Sequence, residues 1–135
     1  MNGKLILLLS LFGLAMGIGT VFVIPSNVEP VLWLVIFVVC AILIARGAPR
    51  RVFVHGLLLG LANCVWVTGA HVLFFDAYIA HHAREAEMMK SMPLPPRPMM
   101  LVVGPIVGVI SGVVIGLFAW IASLILKRGR SAAGA

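Results

Sequence analysis

Charged residues are scarce in this sequence. Only 10% of its 135 residues are Asp, Glu, Lys or Arg, whereas 62% are hydrophobic and the mean hydropathy is +1.17. A soluble domain is typically about half apolar and about a quarter charged. The apolar excess cannot be buried inside one small globule, so the composition excludes an ordinary soluble domain. It predicts a single integral membrane domain covering residues 1–135.

Several catalytic signatures are also missing. The sequence contains no P-loop, no GxGxxG following a strand, no CxxC and no Ser-His-Asp spacing. Its two cysteines, Cys40 and Cys64, lie in apolar segments and at different expected depths, so we expect no disulfide between them. These absences favour a protein that is not an enzyme, and no cofactor is expected from them.

Acidic residues are the rarest charged type, with four Asp and Glu against ten Lys and Arg and a net charge of +6. Such a balance sometimes indicates nucleic-acid binding, but here the basic residues flank apolar segments, at Lys4, in the 46–51 turn and at 127–130. That placement is typical of membrane topology signals. We therefore expect no nucleic-acid partner. The positive-inside rule predicts that both termini are cytoplasmic. We expect a multi-pass protein of the bacterial inner membrane.

Four uncharged or nearly uncharged stretches predict the fold. A helix needs about 20 apolar residues to cross a bilayer core. The sequence therefore predicts an all-α membrane protein, a compact antiparallel bundle of four transmembrane helices. The expected spans are residues 5–24, 31–45, 52–75 and 99–126.

The segments after the third and fourth spans carry separate expectations. Residues 76–98 form the expected extracytoplasmic loop. Within this loop, residues 76–91 favour helix, which allows the third helix to continue through them beyond the membrane. The proline-rich residues 92–98 predict an extended, polyproline-like break. The basic tail, residues 127–135, is expected to be disordered.

Glycines repeat at four-residue intervals in the fourth span. Residues four apart lie on one face of a helix, and a face without side chains lets another helix approach closely in lipid. The first functional hypothesis follows from this pattern. It is a structural or accessory subunit that packs, through glycine faces, against another membrane protein or a second copy of itself. The predicted helix-packing residues are Gly13, Gly17, Gly56, Gly60, Gly104, Gly108, Gly112 and Gly116.

Polar residues recur along one face of the third span and its continuation. Asn63, His71 and Tyr78 follow the three-four spacing of a single helix face. One interpretation is a proton or substrate path, which makes the protein a small channel or transporter, and another is a histidine that ligates haem. The simpler interpretation is that these side chains form hydrogen bonds between helices.

A histidine-rich stretch suggests a third hypothesis, a binder of metal or haem on the extracytoplasmic side. His81, His82 and Glu85 have spacings that place them on neighbouring helical positions, and five methionines follow, at positions 88, 89, 92, 99 and 100. Imidazole and thioether groups together suit Cu(I). The alternative is that methionine fills apolar space while histidine faces water at the end of the helix.

Overall fold

The structure, a computed structural model, describes residues 1–133 of the chain, and within this range it contains helices and no strand. Four helices are long and apolar enough to cross a membrane. This confirms the predicted all-α fold with four apolar spans. The helices are α1 (Gly3–Phe22), α2 (Glu29–Gly47), α3 (Val52–Leu73), α4 (Phe75–His81), α5 (Ala83–Lys90) and α6 (Pro96–Ala133).

Helix α3 is the central element of the bundle. It packs most extensively against α6 and next against α1, while α2 packs mainly on α6. We call the end at which α1 and α3 begin the Asn2 end, and the opposite end, at which α2 and α6 begin, the Pro96 end. The two short helices, α4 and α5, lie at the Pro96 end.

The Asn2 half of the bundle is closed by an apolar core. All four long helices contribute to it, and the buried residues of α2 all lie in the second half of that helix. The first half of α2 has no fully buried residue, so α2 packs tightly at one end of the bundle only. The core residues are Leu9, Cys40, Ala41, Ile44, Val52, Leu59, Ile115 and Ala119.

Helix α3 does not continue through residues 76–91, and the expected extension beyond the membrane is wrong in this respect. The backbone leaves the helical conformation at Phe74, with φ −106° and ψ 37°, and again at His82, with φ −127° and ψ 64°. The Phe74 ring packs edge-on against Phe22 of α1 at 5.4 Å between ring centroids. A contact with a distant helix therefore accompanies the break, at a point where the sequence has neither glycine nor proline.

Helix α6 is longer at both ends than the predicted fourth span. It begins at Pro96, so the polyproline-like segment is not extended through residue 98. Prolines are tolerated there because the first N–H groups of a helix have no intrahelical acceptor, and the Met99 N–H donates to the Pro95 carbonyl at 3.0 Å. The helix continues to Ala133, so the expectation of disorder is wrong for residues 127–133, while residues 134–135 lie outside the described chain.

Candidate functional site

The glycine row of α6 lies directly against a row of small residues on α3. A Cβ atom on Gly60 would overlap the Gly112 backbone, and one on Gly56 would overlap the Gly116 backbone. Farther along, a Cβ on Gly108 would lie 2.5 Å from the Cβ of Cys64. The backbones of the antiparallel helices α3 and α6 are therefore in direct contact at positions where only glycine leaves enough room. The facing pairs are Gly56–Gly116, Gly60–Gly112, Cys64–Gly108 and Thr68–Gly104.

A second pair of glycines brings α1 onto another side of α3. A Cβ on Gly13 would lie 2.8 Å from the Cα of Asn63, and one on Gly17 would lie 3.1 Å from the Cα of Val67. All eight glycines named from the sequence thus meet helices of their own chain. Packing against another membrane protein or a second copy stays a prediction, but these glycine faces are already in use within the protomer.

A cavity of about 760 Å³ lies between the first half of α2 and the faces of α3 and α6. It forms because α2 is buried only in its second half, whereas Trp33, Leu34 and Phe37 in its first half line the cavity wall. Leu34 on α2 and Val107 on α6 line the cavity and are about half exposed, which indicates that it opens laterally between these two helices.

The cavity is closed toward the Asn2 end. The lining residues nearest that end include Gly60 on α3 and Ser111 and Val114 on α6. The next residues along α3 and α6 in that direction include Leu59 and Ile115, which are fully buried in the apolar core. The space is therefore a blind pocket that reaches the middle of the bundle from the Pro96 end.

Methionines line the wall of this cavity near the Pro96 end. All five of the methionines that follow the histidine-rich stretch contribute to the lining. Methionine is unbranched and polarisable, and it adapts its shape to irregular apolar partners. The wall they form suits apolar groups of varied shape. These residues are Met88, Met89, Met92, Met99 and Met100.

Two of the three residues of the predicted polar path form a stacked pair at the same end. The rings of His71 and Tyr78 are stacked with 4.1 Å between their centroids, and both residues line the cavity. His71 Nε2 lies 2.8 Å from Thr20 Oγ1, and that hydroxyl lies 2.8 Å from the Met16 carbonyl. We assign the Thr20 proton to the carbonyl, so the imidazole N–H donates to Thr20.

Asn63, the third of these residues, behaves differently. It is buried against Gly13, and neither polar atom of its amide has a hydrogen-bond partner within residues 1–133. The simpler expectation, a hydrogen bond between helices, is met by His71 and not by Asn63. The residue borders the cavity, but its two amide atoms are shielded from solvent.

Two carboxylates stand at the Pro96 end of the cavity. Glu29 Oε1 accepts a hydrogen bond of 3.2 Å from the Trp33 indole, and Glu85 Oε2 accepts one of 3.2 Å from the Ser26 hydroxyl. Both glutamates line the cavity together with Tyr78. Burial raises the pKa of the Tyr78 phenol to about 12, and the negative charges of Glu29 and Glu85 act in the same direction.

The residues of the predicted metal site do not converge. The Nδ1 atom of His81 pairs with the Ala77 carbonyl at an exposed position, whereas His82 is buried with its ring stacked on Tyr78. Glu85 is directed to Ser26. Within the described residues, no group of three or more His, Cys, Asp or Glu is arranged to hold a metal ion. The copper and haem hypotheses gain no geometric support from this arrangement.

The sequence signalled only part of this cavity. It pointed to Asn63, His71, Tyr78, Glu85 and the methionines, but it gave no role to Glu29, Trp33 or Phe37. Trp33 follows Glu29 by four residues, a spacing that places both on one helix face, and this was the available signal. The divergence of α2 from α6 has no local sequence signature.

The fold and the cavity together define a small integral membrane protein with an internal, laterally open apolar pocket. No family profile, curated protein or solved structure is significantly similar to the chain.

Proposed function

We propose that this protein binds an amphiphilic small molecule inside the membrane. The apolar part of the ligand occupies the cavity between α2, α3 and α6, and its polar part lies near His71, Tyr78 and the two glutamates. The observation that carries the proposal is the cavity itself, of about 760 Å³, with an apolar wall and a few polar side chains at one end. Ligand pockets in proteins typically measure about 300–1,000 Å³ and have this type of lining.

The closed Asn2 end favours binding over conduction. The apolar core built around Leu59 and Ile115 separates the cavity from that end. The described part of one protomer therefore contains no continuous polar route along Asn63, His71 and Tyr78. A transporter would have to open this core in a second conformation. The channel hypothesis and the accessory-subunit hypothesis stay predictions, and the cavity supports neither as directly as it supports ligand binding.

The charge pattern supports a particular orientation for the site. Lys4 and the basic 46–51 turn lie at the Asn2 end, so we place this end and both termini in the cytoplasm of a bacterial cell. In that orientation the protein is a multi-pass protein of the inner membrane. The cavity is then reached from the extracytoplasmic leaflet, where α4 and α5 cover it.

The test uses tryptophan quenching in lipid nanodiscs. Trp33 lines the cavity, whereas Trp66 and Trp120 do not, so a brominated long-chain alcohol bound in the cavity is expected to quench Trp33 saturably. Val107→Phe fills the cavity and should abolish the saturable phase. Ile106→Phe is the matched control, because Ile106 is as exposed as Val107 but does not line the cavity.

Two results would contradict the proposal. One is quenching that rises linearly with the brominated alcohol and never saturates, as expected for simple partition into lipid. The other is saturable quenching that survives in the Trp33→Phe variant, because the binding site would then lie beside another tryptophan.

A further inference from the structure

We propose that the ligand of this cavity is a lipophilic cation, an apolar molecule that carries an ammonium or similar positive group. This inference rests on the proposed function and adds the charge of the ligand to it. The inference follows from the sign of the charged residues that line the cavity and from the hydrogen bonds that hold their side chains.

The charge at the polar end of the cavity is negative. Glu29 and Glu85 both line it, and no lysine or arginine among the described residues does so. The other two acidic residues of the chain have basic partners, since Glu87 pairs with Lys90 at 2.7 Å and Asp76 with Arg97 at 3.8 Å. Among the side chains that the structure describes, the two glutamates of the cavity have no such partner, so their charge is available to a ligand.

Neutral hydrogen-bond donors hold these two carboxylates in place. Trp33 holds Glu29 from within α2, and Ser26 holds Glu85 from the α1–α2 connection. Each bond uses one carboxylate oxygen and adds no positive charge. The two carboxylates are therefore fixed in position and keep their negative charge, so they are able to bind a positively charged group.

Aromatic rings complete the environment of a cation. Trp33, Phe37 and Tyr78 all line the cavity, and the faces of such rings attract ammonium groups. Tyr78 lies close enough to both glutamates for their charges to act on its phenol. Ser26, which donates to Glu85, precedes Glu29 by only three residues. Both carboxylates therefore lie at the end of the cavity that Tyr78 also lines.

The charge also explains how a ligand competes with the surrounding bilayer. A laterally open apolar cavity admits lipid acyl chains, so apolar contact alone does not select a ligand. Glu29 and Glu85 repel a head group with a net negative charge and hold a zwitterionic head less strongly than one with a net positive charge. Selection therefore rests on the head group, and binding rests on the apolar wall.

The experiment compares three probes that share one brominated alkyl chain and differ in the charge of the head group. They are 12-bromododecyltrimethylammonium, 12-bromododecanol and 12-bromododecanoate. Each is titrated into the protein in dodecyl maltoside micelles, because the uncharged head groups of this detergent do not compete with the ammonium probe, and Trp33 quenching is the readout. We expect the ammonium probe to bind about tenfold more tightly than the alcohol, and the carboxylate to bind most weakly.

Two charge variants give the matched control. Glu29→Gln combined with Glu85→Gln should remove most of the preference for the ammonium probe. Asp76→Asn combined with Glu87→Gln removes the same number of charges at the same end, but these residues do not line the cavity and the preference should persist. Binding of the ammonium probe should also lower the ionisation midpoint of the single tyrosine, Tyr78, whereas the alcohol should not.

The possible results separate the two proposals. Saturable binding of all three probes with equal affinity would overturn the cation inference and leave the proposed function standing. A preference for ammonium that persists in the Glu29→Gln, Glu85→Gln variant would also overturn it. A lack of saturable quenching by any probe would overturn the proposed function itself.

Discussion

His71 of α3 donates a hydrogen bond of 2.8 Å to the hydroxyl of Thr20 on α1, while its ring stacks on Tyr78 of α4. One imidazole thereby connects the end of α1, the end of α3 and the cover of the cavity. The bond also explains why a polar residue is accommodated in an apolar span, since the alternative in hydrocarbon is an unsatisfied N–H group.

The first prediction concerns this hydrogen bond. His71→Gln should retain most of the stability, because an amide is still able to donate to Thr20, whereas His71→Leu should lose the bond. Hydrogen bonds between membrane helices are worth about 0.6 kcal/mol on average and up to about 1.7. A double-mutant cycle of His71→Leu with Thr20→Val, measured by unfolding in mixed micelles, should give a coupling in this range. Equal stability of the Gln and Leu variants would contradict the prediction.

The second prediction tests the contact between α3 and α6. Gly112→Leu forces a side chain against the α3 backbone, because even a Cβ atom on Gly112 would lie 2.6 Å from the Leu57 carbonyl oxygen, and Gly108→Leu meets Cys64. Overpacking of this kind typically costs about 1–3 kcal/mol. Val109→Leu and Val113→Leu, at exposed positions of the same helix, should cost much less in the same unfolding assay. If variants on and off the glycine row lose equal stability, the row does not form the contact.

The third prediction concerns topology. In a variant without Cys40 and Cys64, a cysteine introduced by Ser91→Cys should react with an impermeant maleimide on intact cells. A cysteine introduced by Ser131→Cys should react only after permeabilisation. Both serines are exposed, so burial does not bias the comparison. The opposite labelling pattern would show that the arginines of the 46–51 turn do not set the orientation.

The fourth prediction uses the only tyrosine of the chain. Its pKa is raised to about 12, so ultraviolet absorbance should show a phenol that ionises well above the ordinary value of about 10. The folded state holds the phenol proton more tightly than the unfolded state does. The raised pKa therefore contributes to the free energy of unfolding in full below about pH 10, and this contribution is lost as the pH rises toward 12.

A charge variant checks the cause of that shift. Glu29→Gln removes one of the two negative charges that act on the phenol, so the ionisation midpoint should fall, while Glu87→Gln, outside the cavity, should leave it unchanged. A midpoint near 10 in the unmodified protein would show that Tyr78 is exposed and that the cover formed by α4 is open.

The sequence alone determined the fold class and the four apolar helices. Lipid demands that backbone hydrogen bonds be satisfied within each span, so long uncharged segments have only one way to cross as single chains, and their positions are readable from composition. The four-residue repeat from Gly104 to Gly116 likewise indicated a close helix contact, because side chains four apart share a face whatever the rest of the chain does.

The tertiary structure decided which helix each face meets and where space is left between helices. The break at Phe74 accompanies a contact with Phe22, more than fifty residues earlier in the chain, and no local propensity encodes it. The cavity exists because α2 is held tightly at Cys40 and Ile44 but not in its first half. The joint position of Glu29 and Glu85 depends on that divergence, since residues so far apart in sequence meet only through packing.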